Sequence, residues 1–284
     1  PEEWAPSRGD HILITGGAKG IGFKLAKRLV GTGAHLTLVG RSTPDEDVQS
    51  WLASHAKNAE YVTADATDRE AMQAIAATHG PFTAFVHSAG VLADGPLGEV
   101  PAEQGYLARS VKLEGWLVGL DACGDELYRA VALGSWAGRF GNRHQADYAA
   151  ANGLLSAAIH AHGGGNQTCA SVVEFGPWTS SEMVTTIPTA MRNAMRNEGV
   201  DFVGDEAGLD AIMRALGGAP GTQQVLTAGR RISQSTLRRR LYETVTLSSH
   251  PFLDGHRVNG EPVLPFAYVI DGFLRVLKGS SLDA

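Results

Sequence analysis

The chain of 284 residues is poor in cysteine, in long apolar runs and in positive charge. Its two cysteines, Cys123 and Cys169, stand alone in or beside apolar segments. That excludes a disulfide framework and a cysteine metal site, and it points to buried thiols in a reducing compartment. No apolar stretch approaches membrane-spanning length, and no signal peptide is read ahead of the first strand, so a cytoplasmic setting without membrane contact is expected. Lys and Arg number 24 against 30 Asp and Glu, a formal net charge of −6 that argues against a general nucleic-acid binder. Internal repeats, low-complexity tracts and clusters with metal-ligand spacing are also missing. What remains, 43% hydrophobic and 19% charged, suits one α/β domain of ordinary size plus an appendage.

What is present is punctuation by glycine. Ile12-Leu13-Ile14 is an apolar strand-like run, Thr15-Gly16-Gly17-Ala18-Lys19-Gly20-Ile21-Gly22 is a glycine-rich turn, and Phe23 to Leu29 has the pattern of an amphipathic helix. Glycines in this setting let the backbone approach a pyrophosphate, and the following helix N-terminus offers free N–H groups and a favourable dipole. A glycine string between a strand and a helix is far more specific than the string alone. Further strand-like runs are His35 to Val39, Tyr61 to Thr63, Phe82 to Val86, Ala130 to Leu133 and Ala170 to Phe175, with helical stretches between them. This alternation predicts a Rossmann-type, doubly wound parallel sheet. Ligand-facing residues should then follow the carboxyl ends of the strands. Asp65, Ala66, Ser88, Ala89 and Gly90 sit there and join the glycine turn as cofactor-binding candidates.

The end of the second strand should meet the adenosine ribose of a dinucleotide. An acid there selects NAD, and a base pairs with the extra phosphate of NADP. This chain has Arg41 with Ser42, and Lys19 in the glycine turn, which points to NADPH. Asp65 is either an acceptor for the adenine amino group or a helix-cap or turn aspartate. Tyr148 and Asn152 are one helical turn apart, and Ser135 lies thirteen positions before Tyr148, just past a strand. A tyrosine near a serine hydroxyl can protonate a carbonyl oxygen as hydride reaches its carbon, provided a cation makes the proton mobile. The serine can hold the developing oxyanion.

The glycine turn, His87-Ser88-Ala89-Gly90, Ser135 and Tyr148 together resemble the short-chain dehydrogenase/reductase superfamily in order and spacing. Ordinary members carry a lysine four residues after the tyrosine, where this chain has Asn152. Ketoreductases of polyketide synthases exchange the two, taking the lysine from the preceding long helix, and Lys112 occupies that place. The resemblance, closest to ketoreductases of polyunsaturated-fatty-acid and iterative polyketide synthases, covers about residues 11 to 229. It implies a catalytic set of Ser135, Tyr148, Lys112 and Asn152 acting on a 3-oxoacyl chain carried by an acyl carrier protein. It also implies other synthase domains in the same polypeptide and a dimer formed through the parent synthase. Leu92-Ala93-Asp94 resembles the Leu-Asp-Asp marker of enzymes making the D-3-hydroxyl, with its middle aspartate replaced. The tryptophan of the opposite class, eight positions before the tyrosine, is Phe140 here.

A composition change after about residue 229 sets a boundary near 240, giving a reductase region at 1–240 and a second segment at 241–284. In the latter, His250-Pro-Phe-Leu253 and His256-Arg-Val-Asn-Gly260-Glu-Pro-Val-Leu-Pro265 resemble the opening of a synthase dehydratase, a hotdog fold in which His256 would remove an α-proton. The segment is too short for the second hotdog, so no dehydratase activity is expected from it alone, and both termini read as cut through larger units. Arg230, Arg231, Arg238, Arg239 and Arg240 are candidates for docking an acidic carrier. Two other readings stand beside the reductase: a scaffold of the same fold, and a free-standing alcohol dehydrogenase.

Overall fold

Alternating residues of the apolar runs face opposite ways, and each face finds its own layer of helices. The computed structural model describes residues 4–218 apart from 93, 97–98, 143, 163–167, 198–199 and 201; for 162, 182–183, 223–226, 257–258 and 261–262 it describes the backbone alone. The chain divides into two compact units, Pro1–Arg230 and Arg231–Ala284. In the second, the described backbone is one antiparallel pair, Arg257–Val258 with Glu261–Pro262. His250 to His256, residues 259–260 and 263–265 of the dehydratase-like motif, and Arg230, Arg231, Arg238, Arg239 and Arg240 lie outside the described residues.

The first unit is built on seven parallel strands: β1 (His11–Thr15), β2 (His35–Gly40), β3 (Ala59–Thr63), β4 (Ala84–His87), β5 (Arg129–Ser135), β6 (Cys169–Phe175) and β7 (Gln223–Leu226). Their order, β3-β2-β1-β4-β5-β6-β7, is the Rossmann-type doubly wound arrangement. Sequence pattern missed β7, whose Gln223-Gln224-Val225-Leu226 lacks a long apolar run.

Both sheet faces are covered, as an all-parallel sheet requires. Ile12, Ile14, Val131, Leu133 and Val173 pack with Leu25, Ala26 and Leu29 of α1 (Gly20–Val30) and with Leu209, Ala211 and Ile212 of α10 (Asp205–Gly217). Leu13, Ala130, Ala132 and Val172 pack on the other side with Met72 and Ile75 of α3 (Arg69–His79), Trp116 and Val118 of α5 (Gly115–Cys123), and Leu155 and Ile159 of α7 (Ala146–His162). Asp45 caps α2 (Glu46–Ser54) through Val48 N–H at 2.9 Å, and Asp68 caps α3 through Ala71 N–H at 3.0 Å. Cys123 is buried among these apolar residues, which pushes its thiol up to about 12 and leaves it unreactive.

The segment between β4 and β5 is not a uniform helix. From Ala102 to Cys123 the chain runs as α4 (Ala102–Arg109), a π turn (Ser110–Glu114) and α5. In that turn Gly115 N–H bonds to Ser110 O, one residue further back than in an α-helix.

The contact of α5 with the sheet depends on a missing methyl. A Cβ at Gly119 would lie 2.2 Å from Cζ of Phe85, whose ring stacks on Trp116 at 5.4 Å. Gly119→Ala should therefore lower unfolding free energy by roughly 1–3 kcal/mol through overpacking, read as a lower denaturant midpoint.

Candidate active site

The carboxyl ends of β1, β2, β4, β5 and β6 open onto one cleft of about 590 Å³. Its first wall is the glycine turn. Gly16 has φ +71°, and a Cβ there would lie 2.8 Å from Ala89 N; a Cβ on Gly22 would meet Ser88 Oγ at 2.3 Å and Gly16 O at 2.4 Å. Bare glycines thus let the segment after β4 close against the turn. Unlike α2 and α3, α1 has no side-chain cap, its N-cap being Lys19, and no acid in its first turn. Its N-terminal N–H groups and dipole are left to an external anion, and the cradle fits a dinucleotide diphosphate.

Of the cofactor candidates, Gly16, Lys19, Gly20, Ile21, Gly22, Arg41, Ser42, Asp65, Ala66, Ser88, Ala89 and Gly90 line this cleft. Thr15 and Gly17 do not. Thr15 is fully buried with its hydroxyl 2.8 Å from Nδ1 of His87. Gly17 is where a Cβ would crowd Ile14 O at 2.9 Å and Leu38 at 3.0 Å, so it serves packing. At the ribose end, Arg41 Nη1 lies 3.9 Å from Asp65 Oδ2. Asp65 Oδ1 accepts from the N–H and hydroxyl of Thr67 at 2.9 and 2.8 Å, which makes Asp65 a turn-forming residue that also faces Arg41. Tyr61, which sequence reasoning missed, adds a wall and donates its phenol to Ser42 O at 2.6 Å.

At the other end, Ser135 closes β5, Tyr148 and Asn152 lie on α7, and Lys112 lies in the π turn. Ser135, Tyr148 and Lys112 line the cleft. Asn152 is fully buried: its Nδ2 donates to Tyr148 O at 2.8 Å, and its Oδ1 has no partner among the described residues. Burial raises the Tyr148 phenol above its usual range; hydrogen bonds with the Ser135 and Asn152 side chains pull it down, and the Asp94 carboxylate adds to the rise. The phenol is therefore protonated at neutral pH. Lys112 is 5% exposed, donates to Leu133 O at 2.7 Å, and has no carboxylate partner among the described residues. Burial lowers its ammonium to about 8. A Cβ on Gly90 would come within 2.9 Å of Lys112 Cε, so the glycine makes room for the lysine stem.

The segment before Tyr148 is anchored on Asp94 and its neighbour by Gln145 and His144, which no sequence signal singled out. Gln145 Nε2 donates to both oxygens of Asp94, at 3.1 and 3.0 Å, and Gly95 N–H donates to the carbonyl of His144 at 2.7 Å. His144 has φ +63°, a strained conformation for a residue with a side chain. Beneath Ser135, the buried carboxylate of Glu174 takes Arg139 Nε of α6 (Ala137–Phe140) at 3.0 Å and Ser156 of α7 at 2.7 Å. The far wall is apolar: Trp178, then Val184 of α8 (Glu182–Thr185), Ile187, Met195 of α9 (Thr189–Asn197) and Val200. Among the described residues no group of His, Cys, Asp and Glu could hold a metal, and no helix is long and apolar enough to cross a membrane.

Strand order and the glycine cradle define a domain of the short-chain dehydrogenase/reductase fold. Within that fold, the KR domain family matches residues 11–180, and the chain belongs to this family of polyketide-synthase domains. A ketoreductase from the first module of phoslactomycin biosynthesis in Streptomyces sp. HK803 superposes with a TM-score of 0.68 at 28% identity, covering 80% of this chain and 54% of that one. Polyketide synthase GfsA of Streptomyces halstedii is 30% identical over 75% of this chain and 3% of its own length. A polyunsaturated fatty acid synthase of Thraustochytrium sp. is 30% identical over 70% of this chain and 7% of its own length. The chain thus spans a small fraction of the curated relatives it matches, which are much longer synthase polypeptides.

The buried ammonium has a measurable cost. Its folded pKa lies below its unfolded one, so the unfolded chain binds the extra proton between about pH 8 and 10.5. The penalty is full below pH 8 and disappears as pH rises to 10.5. Lys112→Met, without cofactor, should stabilise the fold at pH 7 by up to about 3 kcal/mol, less the lost bond to Leu133. In thermal unfolding this gain should shrink steadily toward pH 10.

Proposed function

We propose that the chain reduces the 3-oxo group of a carrier-protein-bound acyl thioester to the D-3-hydroxyacyl thioester, with NADPH as cofactor, during polyketide or polyunsaturated-fatty-acid assembly. The observation that carries this reading is the convergence of Ser135, Tyr148 and Lys112 on the cleft that also holds the glycine cradle. When bound, the reduced nicotinamide supplies hydride to the ketone carbon. The Ser135 hydroxyl donates to the ketone oxygen and stabilises the charge that grows there. Tyr148 delivers its proton to that oxygen, completing the secondary alcohol, and the Lys112 ammonium favours the phenolate left behind. The phenolate then recovers a proton from solvent. Asn152 fixes the turn of α7 on which Tyr148 rides.

Arg41 and Lys19, both on the cleft, support NADPH over NADH; Arg41 is half exposed and free to turn from Asp65 to a phosphate. Asp94, held by Gln145, supports the D-hydroxyl. The apolar wall of Val184, Ile187, Met195 and Val200 suits an acyl chain. Carrier protein, neighbouring synthase domains and a dimer through the parent synthase belong to the same reading. So does a dehydratase containing His256, since loss of water is the natural next step for a 3-hydroxyacyl thioester.

The test is turnover of a 3-oxoacyl thioester with NADPH and with NADH, followed by chiral analysis. NADPH-selective formation of the D-product is expected. Tyr148→Phe should lower kcat by roughly 100- to 10,000-fold with NADPH binding retained. Arg41→Ala should raise KM for NADPH about tenfold and leave that for NADH nearly unchanged, as for loss of one charged phosphate contact. A Tyr148→Phe enzyme working at the parent rate would overturn the mechanism, and equal use of both cofactors would overturn the choice of NADPH.

A further inference from the structure

His87 ends β4, is completely buried, and has no part in the proposed reaction. Its ring nevertheless spans two elements that the reaction needs. Nε2 lies 3.1 Å from the carbonyl oxygen of Val111, inside the π turn, and Nδ1 lies 2.8 Å from the hydroxyl of Thr15, at the entrance to the glycine turn. A carbonyl can only accept, so Nε2 carries the hydrogen. Burial, reinforced by the nearby Lys112 charge, keeps the ring neutral, with its pKa lowered to about 3. Nδ1 is then bare, and Thr15 must donate to it. Both hydrogen positions follow from the partners together with the neutral ring.

The ring also packs where the helix has no side chain. A Cβ on Gly115, the residue that closes the π turn, would stand 3.0 Å from His87 Cε1. Isolated π turns are rare and need support, and this one carries Lys112 at its centre. The lysine stem passes against Gly90, and among the described residues its ammonium reaches a single carbonyl, Leu133 O, so a small rotation of the turn would move the charge off the cleft.

We propose that His87 is a positioning residue: by donating to Val111 O and accepting from Thr15, it locks the π turn and so aims Lys112 at the cleft. The proposal relies on the ketoreductase reading only for its activity readout. His87→Leu removes both hydrogen bonds while keeping an apolar volume in the core. His87→Gln keeps a donor near the position of Nε2. Two measurements are made on parent and variants. One is the titration of Lys112 by NMR with ¹³C-labelled lysine, assigned with Lys112→Met, in the absence of substrate. The other is kcat and KM on the 3-oxoacyl thioester.

In the parent, Lys112 should titrate far below an ordinary lysine. In His87→Leu its titration should move up toward the ordinary value as the ammonium escapes burial, and kcat should fall roughly 10- to 100-fold with a smaller change in KM. His87→Gln should recover both to within a few-fold. A folded His87→Leu protein with Lys112 titrating as in the parent would overturn the proposal, as would a folded His87→Gln protein in which Lys112 is displaced as far as in His87→Leu. If His87→Leu does not fold, the Lys112 titration of His87→Gln decides alone: parent-like supports the lock, displaced refutes it. If the parent reduces no thioester, the ketoreductase reading falls, and the lysine titration still decides on His87.

Discussion

Among the described residues, a buried lysine with one carbonyl as its hydrogen-bond partner is the least comfortable group, and much of the site is arranged around it. Lys112 has left water without gaining a carboxylate among the described residues, so desolvation is barely compensated. Glu174, a second deeply buried charge, is treated differently. It is met by Arg139 and Ser156, and its two oxygens tie the element after Ser135 to the helix of Tyr148. One buried charge is neutralised and serves as scaffold. The other has no counter-charge among the described residues, which in the proposed reaction lets it respond to charge appearing on the Tyr148 phenol.

The sheet topology brings these parts together. Strand order reverses between β1 and β4, and the crevice there receives the glycine turn from one side and residues 88–90 from the other. β5 places Ser135 one strand further along, and the long helix between β4 and β5 returns Lys112 to the same edge. No single loop contains the site. It exists because parallel strands end together, and because helices on one face bring α7 and the π turn alongside them.

Much of this could be read from the residues. The run from Ile12 to Leu29 shows strand, glycine turn and helix because each has its own local chemistry, and five further strands follow from short apolar runs ended by glycine or polar residues. Tyr148 and Asn152 were legible as a pair by helical spacing, whereas Lys112 stood out only through its resemblance to a known pattern. The rest depends on contacts between distant residues. Gln145 meets Asp94 across 51 positions, and His87 meets Thr15 across 72. The π turn has no sequence signature, since Ser110 to Glu114 reads as ordinary helix. Thr15 and Gly17 sit inside the glycine turn, yet one serves His87 and the other serves packing, because a turn has an inner side that its sequence does not mark.

In the proposed mechanism the reaction needs an ammonium at one point in the cleft, and the π turn, in place of α7, delivers it. The most direct test exchanges the two residues. Lys112→Asn should nearly abolish turnover, and adding Asn152→Lys to it should restore kcat by about tenfold or more, because a lysine one turn beyond Tyr148 can send its charge to the same phenol. If the double variant is folded, binds NADPH and is no faster than Lys112→Asn alone, then the ammonium is not what Lys112 contributes, and the role assigned to the π turn is wrong.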